Sequence, residues 1–266
     1  MKVAWIGLGH MGLPTAKTVA AAGHDVTGFD AKSLSAEDTK GLVLAGSPRD
    51  AAEGCEVVCI SVFHDEQVED VLAGPEGIFP ILAPGTVVAM LTTGTIGSAQ
   101  KLAAAAPAGI AVLDTCFSRQ QAMIPSGQLN ILAGGDKDAL DRCRPVLGAF
   151  AKNIYHMGGS GMGRAIKLVN NALLSANSLA ARDALQVARS LGLDPQEAAR
   201  IILECSGASD ALNIFVKPDA ADIVKLMERA GAKDCTAMAE EARKAGVGMG
   251  VLGAVVEAYV APSRVS

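Results

Sequence analysis

The chain has 266 residues, half of them hydrophobic and only 3% aromatic, with a formal net charge of −5. That length suits one large domain or two modest ones, and a composition led by Ala, Gly, Val and Leu favours helices packed on a sheet over an all-β sandwich. An acidic balance without a run of Lys or Arg excludes a nucleic-acid binder, and no apolar stretch is long enough to span a bilayer.

The first element is a strand at 3–6, a short apolar run of the kind buried in a parallel sheet. Because the N-terminus enters this strand directly, no signal peptide is expected and the cytoplasm is the expected compartment. Gly7-Leu8-Gly9-His10-Met11-Gly12 follows at once, then a helix over 13–22 with Gly23 at its end, then a strand over 24–29 closing at Asp30. Further strands are expected at 57–62, 86–91, 110–113 and 130–133, with helical patterns between most of them. Strand alternating with helix implies a doubly wound parallel sheet of the Rossmann type.

After Tyr155 the pattern changes. Residues 160–191 read as one long helix, about 45 Å at 1.5 Å per residue, with Ser160 as N-cap and Gly192 as stop. From Pro195 onward every pattern is helical. The expected fold is therefore an N-terminal α/β domain over 1–157 and an all-α domain over 158–266 that begins with the long helix. The six cysteines (Cys55, Cys59, Cys116, Cys143, Cys205, Cys235) contain no Cys-x-x-Cys and do not cluster with the four histidines. They read as buried reduced thiols, and no metal site is expected.

Gly7-x-Gly9-x-x-Gly12 is a weak signal alone, but here it follows a strand, opens a helix and is answered by an acidic residue at the end of the second strand. In such a turn Gly7 permits the tight bend, Gly9 lets the backbone approach a pyrophosphate and Gly12 allows close helix–strand packing. The helix N-terminus offers N–H groups and a partial positive charge to phosphates. Asp30 would accept hydrogen bonds from the adenosine ribose and repel the extra phosphate of NADP. Ala31 stands where an NADP enzyme often places Arg, while Lys32 lies within reach of a phosphate. NAD is the expected cofactor, with NADP as the alternative.

On the long helix, Arg164, Lys167, Asn170 and Asn171 fall within two turns among apolar neighbours. Lys167 and Asn171 are four apart and share one face. A Lys so placed either snorkels to solvent or is held in a cleft. Adjacent asparagines are poor helix formers that need another reason to be there.

The glycine turn, taken with Gly158-Gly159-Ser160-Gly161 leading to Lys167-Leu168-Val169-Asn170-Asn171, resembles the β-hydroxyacid dehydrogenases, a family that includes 3-hydroxyisobutyrate dehydrogenase and the 6-phosphogluconate dehydrogenase-like proteins. The resemblance runs over nearly the whole chain and is most specific at Lys-x-x-Asn-Asn. It implies that Lys167 is the catalytic lysine, that Asn171 holds the substrate beside it, and that Ser118 belongs to the substrate-binding segment. It also implies that Val62, Phe63 and Thr93 lie along the cofactor, and that Lys233 and Asp234 close over the nicotinamide. A homodimer formed through the helical domain is implied in the same way.

The sequence departs from the family's pattern in three places. The substrate segment, usually Asp-Ala-Pro-Val-Ser-Gly-Gly, is Asp114-Thr115-Cys116-Phe117-Ser118-Arg119-Gln120. The glycines would give N–H groups to a substrate carboxylate, whereas Arg119 and Gln120 make the segment bulkier and more polar. Leu226 replaces an aromatic, and few residues follow Tyr259 where the family carries another helical segment. The resulting expectation is hydride transfer between a nicotinamide and a small anionic hydroxyacid. Lys167, lowered by partial burial to about 7–8, acts as acid or base, and Arg119 offers a second grip on an anionic group. Two alternatives stand beside it: an imine reductase of the same superfamily, against which Lys167 counts, and a cofactor binder without turnover.

Overall fold

The computed structural model describes residues 1–260, apart from the side chains of Leu226 and Val260. The Leu226 departure thus lies outside the described residues. The strands are β1 (Lys2–Ile6), β2 (Asp25–Phe29), β3 (Val43–Leu44), β4 (Val57–Ile60), β5 (Val87–Met90), β6 (Ala111–Ser118), β7 (Leu129–Gly134) and β8 (Ala151–His156). They form one eight-stranded sheet in the order β3-β2-β1-β4-β5-β6-β7-β8. Between them run α1 (Gly12–Ala21), α2 (Pro48–Ala52), α3 (Asp65–Ala73), α4 (Ile96–Ala105) and α5 (Lys137–Leu147). The strand order reverses direction at β1/β4, the place where doubly wound sheets open a crevice at the carboxyl ends of their strands.

The central strands are apolar throughout because both faces are covered. Alternation sends Val3, Trp5, Val57, Cys59, Val87 and Ala89 to one face, where Ala16 and Val19 of α1 and Leu140 and Cys143 of α5 pack on them. It sends Ala4, Ile6, Val58, Ile60, Val88 and Met90 to the other, against Ala51 of α2, Val68 and Leu72 of α3, and Ala99 and Leu102 of α4. Each such fully buried Val, Ile or Leu contributes about 1.5–3 kcal/mol. Burial pushes the Cys143 thiol up to about 12. Cys205, by contrast, is exposed rather than buried.

The sheet corrects three sequence expectations. It is not wholly parallel, because β6 and β7 pair antiparallel, with Asp114 opposite Gly134 and Ser118 opposite Asn130. The strand expected at 110–113 continues to Ser118, so the first five residues of the substrate segment are strand. Two strands beyond the six expected are present: the two-residue β3, parallel to β2, and β8, parallel to β7 at the sheet's end, whose half-exposed sequence Ala-Lys-Asn-Ile-Tyr-His carries little strand signal.

The chain forms two compact units, Met1–Lys167 and Leu168–Ser266. The long helix α6 (Met162–Ser190) starts in the first and continues in the second. The first unit extends past residue 157 because the opening turns of α6 press directly on the sheet. A Cβ on Gly163 would fall within 2.8 Å of Asp114 Oδ2. The second unit adds α7 (Pro195–Leu203), α8 (Leu212–Phe215), α9 (Ala220–Lys244) and α10 (Val251–Val260). Ala181, Leu185, Ala199 and Leu212 form its small core. Among the described residues, no helix is long and apolar enough to cross a membrane.

Candidate active site

The glycine-rich turn is built as its sequence requires. Gly7 has φ +95°, a conformation in which a side chain would be strained, and a Cβ there would overlap the backbone of Ser61. Gly12 sits so tightly that a Cβ would strike the Gly7 carbonyl, whereas nothing lies within 4 Å of the Cβ position of Gly9. Gly9 and His10 are exposed, and among the described residues no backbone acceptor takes the N–H of Gly9, His10 or Met11. Met11 is the N-cap of α1 and contributes no side-chain cap. The turn therefore presents unspent N–H groups and open space at the positive end of a helix, which fits the pyrophosphate of a dinucleotide.

Asp30 stands at the carboxyl end of β2. Its Oδ2 accepts the Leu8 N–H at 2.7 Å and its Oδ1 accepts the Lys32 N–H at 2.8 Å. Each oxygen keeps capacity for a further donor, so the carboxylate both shapes the turn and remains able to take ribose hydroxyls. The buried side chain of Leu8 packs with Trp5, Ala16 and Val19 in the core and so belongs to the framework of the turn.

Past β4, Val62 and Phe63 are stitched to neighbouring elements. Thr92 Oγ1 donates to the Val62 carbonyl at 2.9 Å and accepts the Val62 N–H at 3.2 Å. Phe63 N–H donates to Gln67 Oε1 at 3.0 Å, and its ring meets His64 edge-on. Thr93, half-buried, follows Thr92. Beneath these loops lies a clamp. Asp65, the first residue of α3, accepts from Thr95 N–H at 2.8 Å and from Arg164 Nη1 at 2.8 Å. Arg164 Nη1 also donates to the Thr95 carbonyl at 2.9 Å. Arg164 is fully buried, so this pair ties the loops after β4 and β5 to the first turn of α6.

A second lock holds the same helix end. Asp114, 1% exposed, accepts the Gly161 N–H at 2.7 Å and the Arg164 N–H at 2.8 Å. Burial raises its pKa, while the two N–H donors and the Arg164 charge pull it back. Gly134 and Gly163 leave no room for a Cβ beside this carboxylate. The consequence is positional: Lys167, half-buried and one turn further along α6, projects from a helix start fixed to the sheet.

In the second unit, Asn171 has both ends of its amide engaged. Its Nδ2 donates to Asp234 Oδ2 and its Oδ1 accepts from Asn170 Nδ2 at 3.0 Å. A carboxylate can only accept, so Asp234 dictates which way the amide faces. Asp234 is buried, and its Oδ1 lies 3.8 Å from Lys233 Nζ. The structure makes Asp234 the partner of Asn171.

The substrate segment completes the first unit's set. Ser118 ends β6 half-buried, Arg119 is exposed with φ +89°, and Gln120 is half-buried. Gln121 Nε2 donates to the His10 carbonyl at 2.7 Å, fastening this segment to the glycine turn. Gln121, Asp65, Thr92 and Asp114 went unassigned in the sequence because single polar residues near strand ends carry no spacing signature. Arg164 stood in the polar group of the long helix, but its burial was not legible.

The geometry agrees with what the chain resembles. The NAD binding domain of 6-phosphogluconate dehydrogenase, as a family model, matches residues 2–159. A second family, described as the NAD-binding region of NADP-dependent 3-hydroxyisobutyrate dehydrogenase, matches residues 161–264. The chain belongs to the β-hydroxyacid dehydrogenase family. It is 36% identical to an NAD-dependent L-serine dehydrogenase of Pseudomonas aeruginosa, over 80% of this chain and 73% of that protein. It is 33% identical to a 3-hydroxyisobutyrate dehydrogenase of the same organism, over 80% and 72%. Among solved structures, the 3-hydroxyisobutyrate dehydrogenase of Mycobacterium tuberculosis with L-serine superposes with a TM-score of 0.83 at 26% identity, covering 97% of this chain and 91% of that one. Membership makes the protein a nicotinamide-dependent oxidoreductase with NAD or NADP as its cofactor.

Proposed function

We propose that the protein oxidises the hydroxyl of a small β-hydroxyacid, or reduces the matching aldehyde, in the cytoplasm and with preference for NAD. The observation that carries this reading is the placement of Lys167 and Asn171 one turn apart on a helix whose start is locked to the sheet by Asp114. A nicotinamide cofactor, when bound, would supply the hydride chemistry. The N–H groups of Gly9, His10, Met11 and Gly12 would hold its pyrophosphate and Asp30 the adenosine ribose; Val62, Phe63 and Thr93 would lie along it, and Lys233 would be a further cofactor contact.

Lys167 Nζ takes the hydroxyl proton as the carbonyl forms and returns it in the reverse direction. Asn171, its amide turned by Asp234, spends its second N–H on the reacting oxygen. Ser118 and the N–H groups that follow it receive the substrate carboxylate. Lys167 favours this alcohol chemistry over imine reduction, because it supplies a proton-transfer group beside the reacting carbon. The subunits pair as a homodimer through the helical unit.

The test is to follow reduced nicotinamide spectrophotometrically with NAD or NADP and a panel of β-hydroxyacids that includes L-serine and 3-hydroxyisobutyrate. Turnover is expected, and Lys167→Ala should lower kcat by about 10²–10⁴-fold with NADH affinity changed less than about threefold. A Lys167→Ala protein of near-normal activity refutes the role of Lys167. Silence across the panel, with a cyclic imine reduced instead, refutes the alcohol reading.

A further inference from the structure

Arg119 is the one described non-glycine residue with a positive φ, +89°. L-residues other than Asn and Asp rarely adopt that conformation, and where they persist in it they mark functional sites. The segment is not loose. Gln121 Nε2 fastens it to the His10 carbonyl at 2.7 Å, Ile124 is fully buried, and the Ser126 hydroxyl donates to the Met123 carbonyl at 3.1 Å. The Arg119 side chain is nonetheless poorly matched within the protein. Its Nη1 reaches the Met123 sulfur at 3.7 Å, a weak acceptor. Among the described residues no carboxylate lies within ion-pair distance of it. A planar fork of donors is thus held, at a backbone cost, immediately after Ser118 and without an anionic partner.

We propose that Arg119 forms a second anion subsite, so that the preferred substrates are hydroxyacids carrying two anionic groups: one received at Ser118, the other by the Arg119 guanidinium. The proposal rests on the reading of Ser118 as part of the substrate site. A guanidinium pairs bidentately with a carboxylate or a phosphonate, and either group satisfies the fork. Arg119 selects among substrates rather than taking part in proton or hydride movement, so its signature is affinity for the second anion.

The experiment uses inert acids, so that binding is read without turnover. The full-length protein saturated with NADH is titrated calorimetrically with valerate, glutarate and 3-phosphonopropionate. Glutarate or 3-phosphonopropionate is expected to bind about tenfold or more tightly than valerate, and the stronger of the two identifies the second group as carboxylate or phosphonate. Arg119→Gln, which keeps bulk and loses charge, and Arg119→Gly, which also removes the unfavourable φ, should both collapse that preference to within about threefold. Arg119→Lys should retain part of it. Equal binding of mono- and dianions by the unaltered protein overturns the proposal. So does a preference that survives in Arg119→Gln, or the absence of measurable binding by either dianion. An Arg119-dependent preference in a protein that turns over no hydroxyacid would sustain the subsite and refute the reaction.

Discussion

Asp30 shows how one residue serves both fold and ligand. Its carboxylate shapes the glycine turn through the Leu8 N–H and has capacity left for the ribose. Asp30→Ala should therefore weaken both cofactors, and NADH more than NADPH, because only NADH loses a ribose hydrogen bond to a charged acceptor, worth about 1.5–3 kcal/mol. That corresponds to roughly ten- to a hundredfold in the NADH dissociation constant, readable by fluorescence titration. Equal losses for the two cofactors would mean that Asp30 acts only through Leu8. The glycine turn and Asp30 were legible because each sits at a fixed spacing from an element boundary, whereas Lys167 and Asn171 stood out only as polar residues sharing one face of an apolar helix, and their roles were implied by the resemblance. Asp114 was legible only as the first residue of a segment. Its task, capping α6 from a strand at a sequence distance of 47 residues, is set by tertiary packing that no local pattern records. The backbone of Arg119 was equally hidden, although a family preference for glycine at that point is what a positive φ produces.

At the scale of elements, the alternation of apolar strands and amphipathic helices was readable wherever both faces of a strand are buried, as in β1, β4 and β5. It failed at β6 and β8 for opposite reasons. The second half of β6 breaks the apolar pattern at Asp114, which accepts the N–H groups at the start of α6, and β8 is half-exposed at the sheet's end. The junction of elements depends most on Arg164. Removing one partner of a buried ion pair leaves the other uncompensated and costs about 3–5 kcal/mol. Arg164→Met should lose stability near the lower end of that range, since Asp65 is 17% exposed and keeps Thr95 as a donor. Arg164→Met with Asp65→Ala should recover part of the loss, because no orphan carboxylate remains. Urea unfolding of the two variants checks this. A double variant no more stable than Arg164→Met would show that the guanidinium works through the Thr95 carbonyl alone.

At the scale of the molecule, the two units differ in how well they bury their own apolar surface. The sheet unit encloses two extensive clusters, one on each face. Among the described residues, the helical unit's apolar cluster is small, and Val169, Leu173, Val187, Leu191, Ile201 and Val251 are exposed. Val169 and Leu173 are one turn apart on α6 and form an apolar strip, and Leu191 follows directly on the end of that helix. These exposed apolar positions are candidates for the interface of the homodimer proposed above, in which a twofold axis would let one strip serve both subunits. Sedimentation equilibrium should accordingly give twice the chain mass of 27.1 kDa. Leu173→Glu would place a charge in each half of such an interface and should shift the protein toward monomer at micromolar concentration. The glycine turn lies in the other unit, so NADH should still bind the variant. A Leu173→Glu protein of unchanged mass would remove this strip from the interface, and an unaltered protein sedimenting as a monomer would refute the dimer outright.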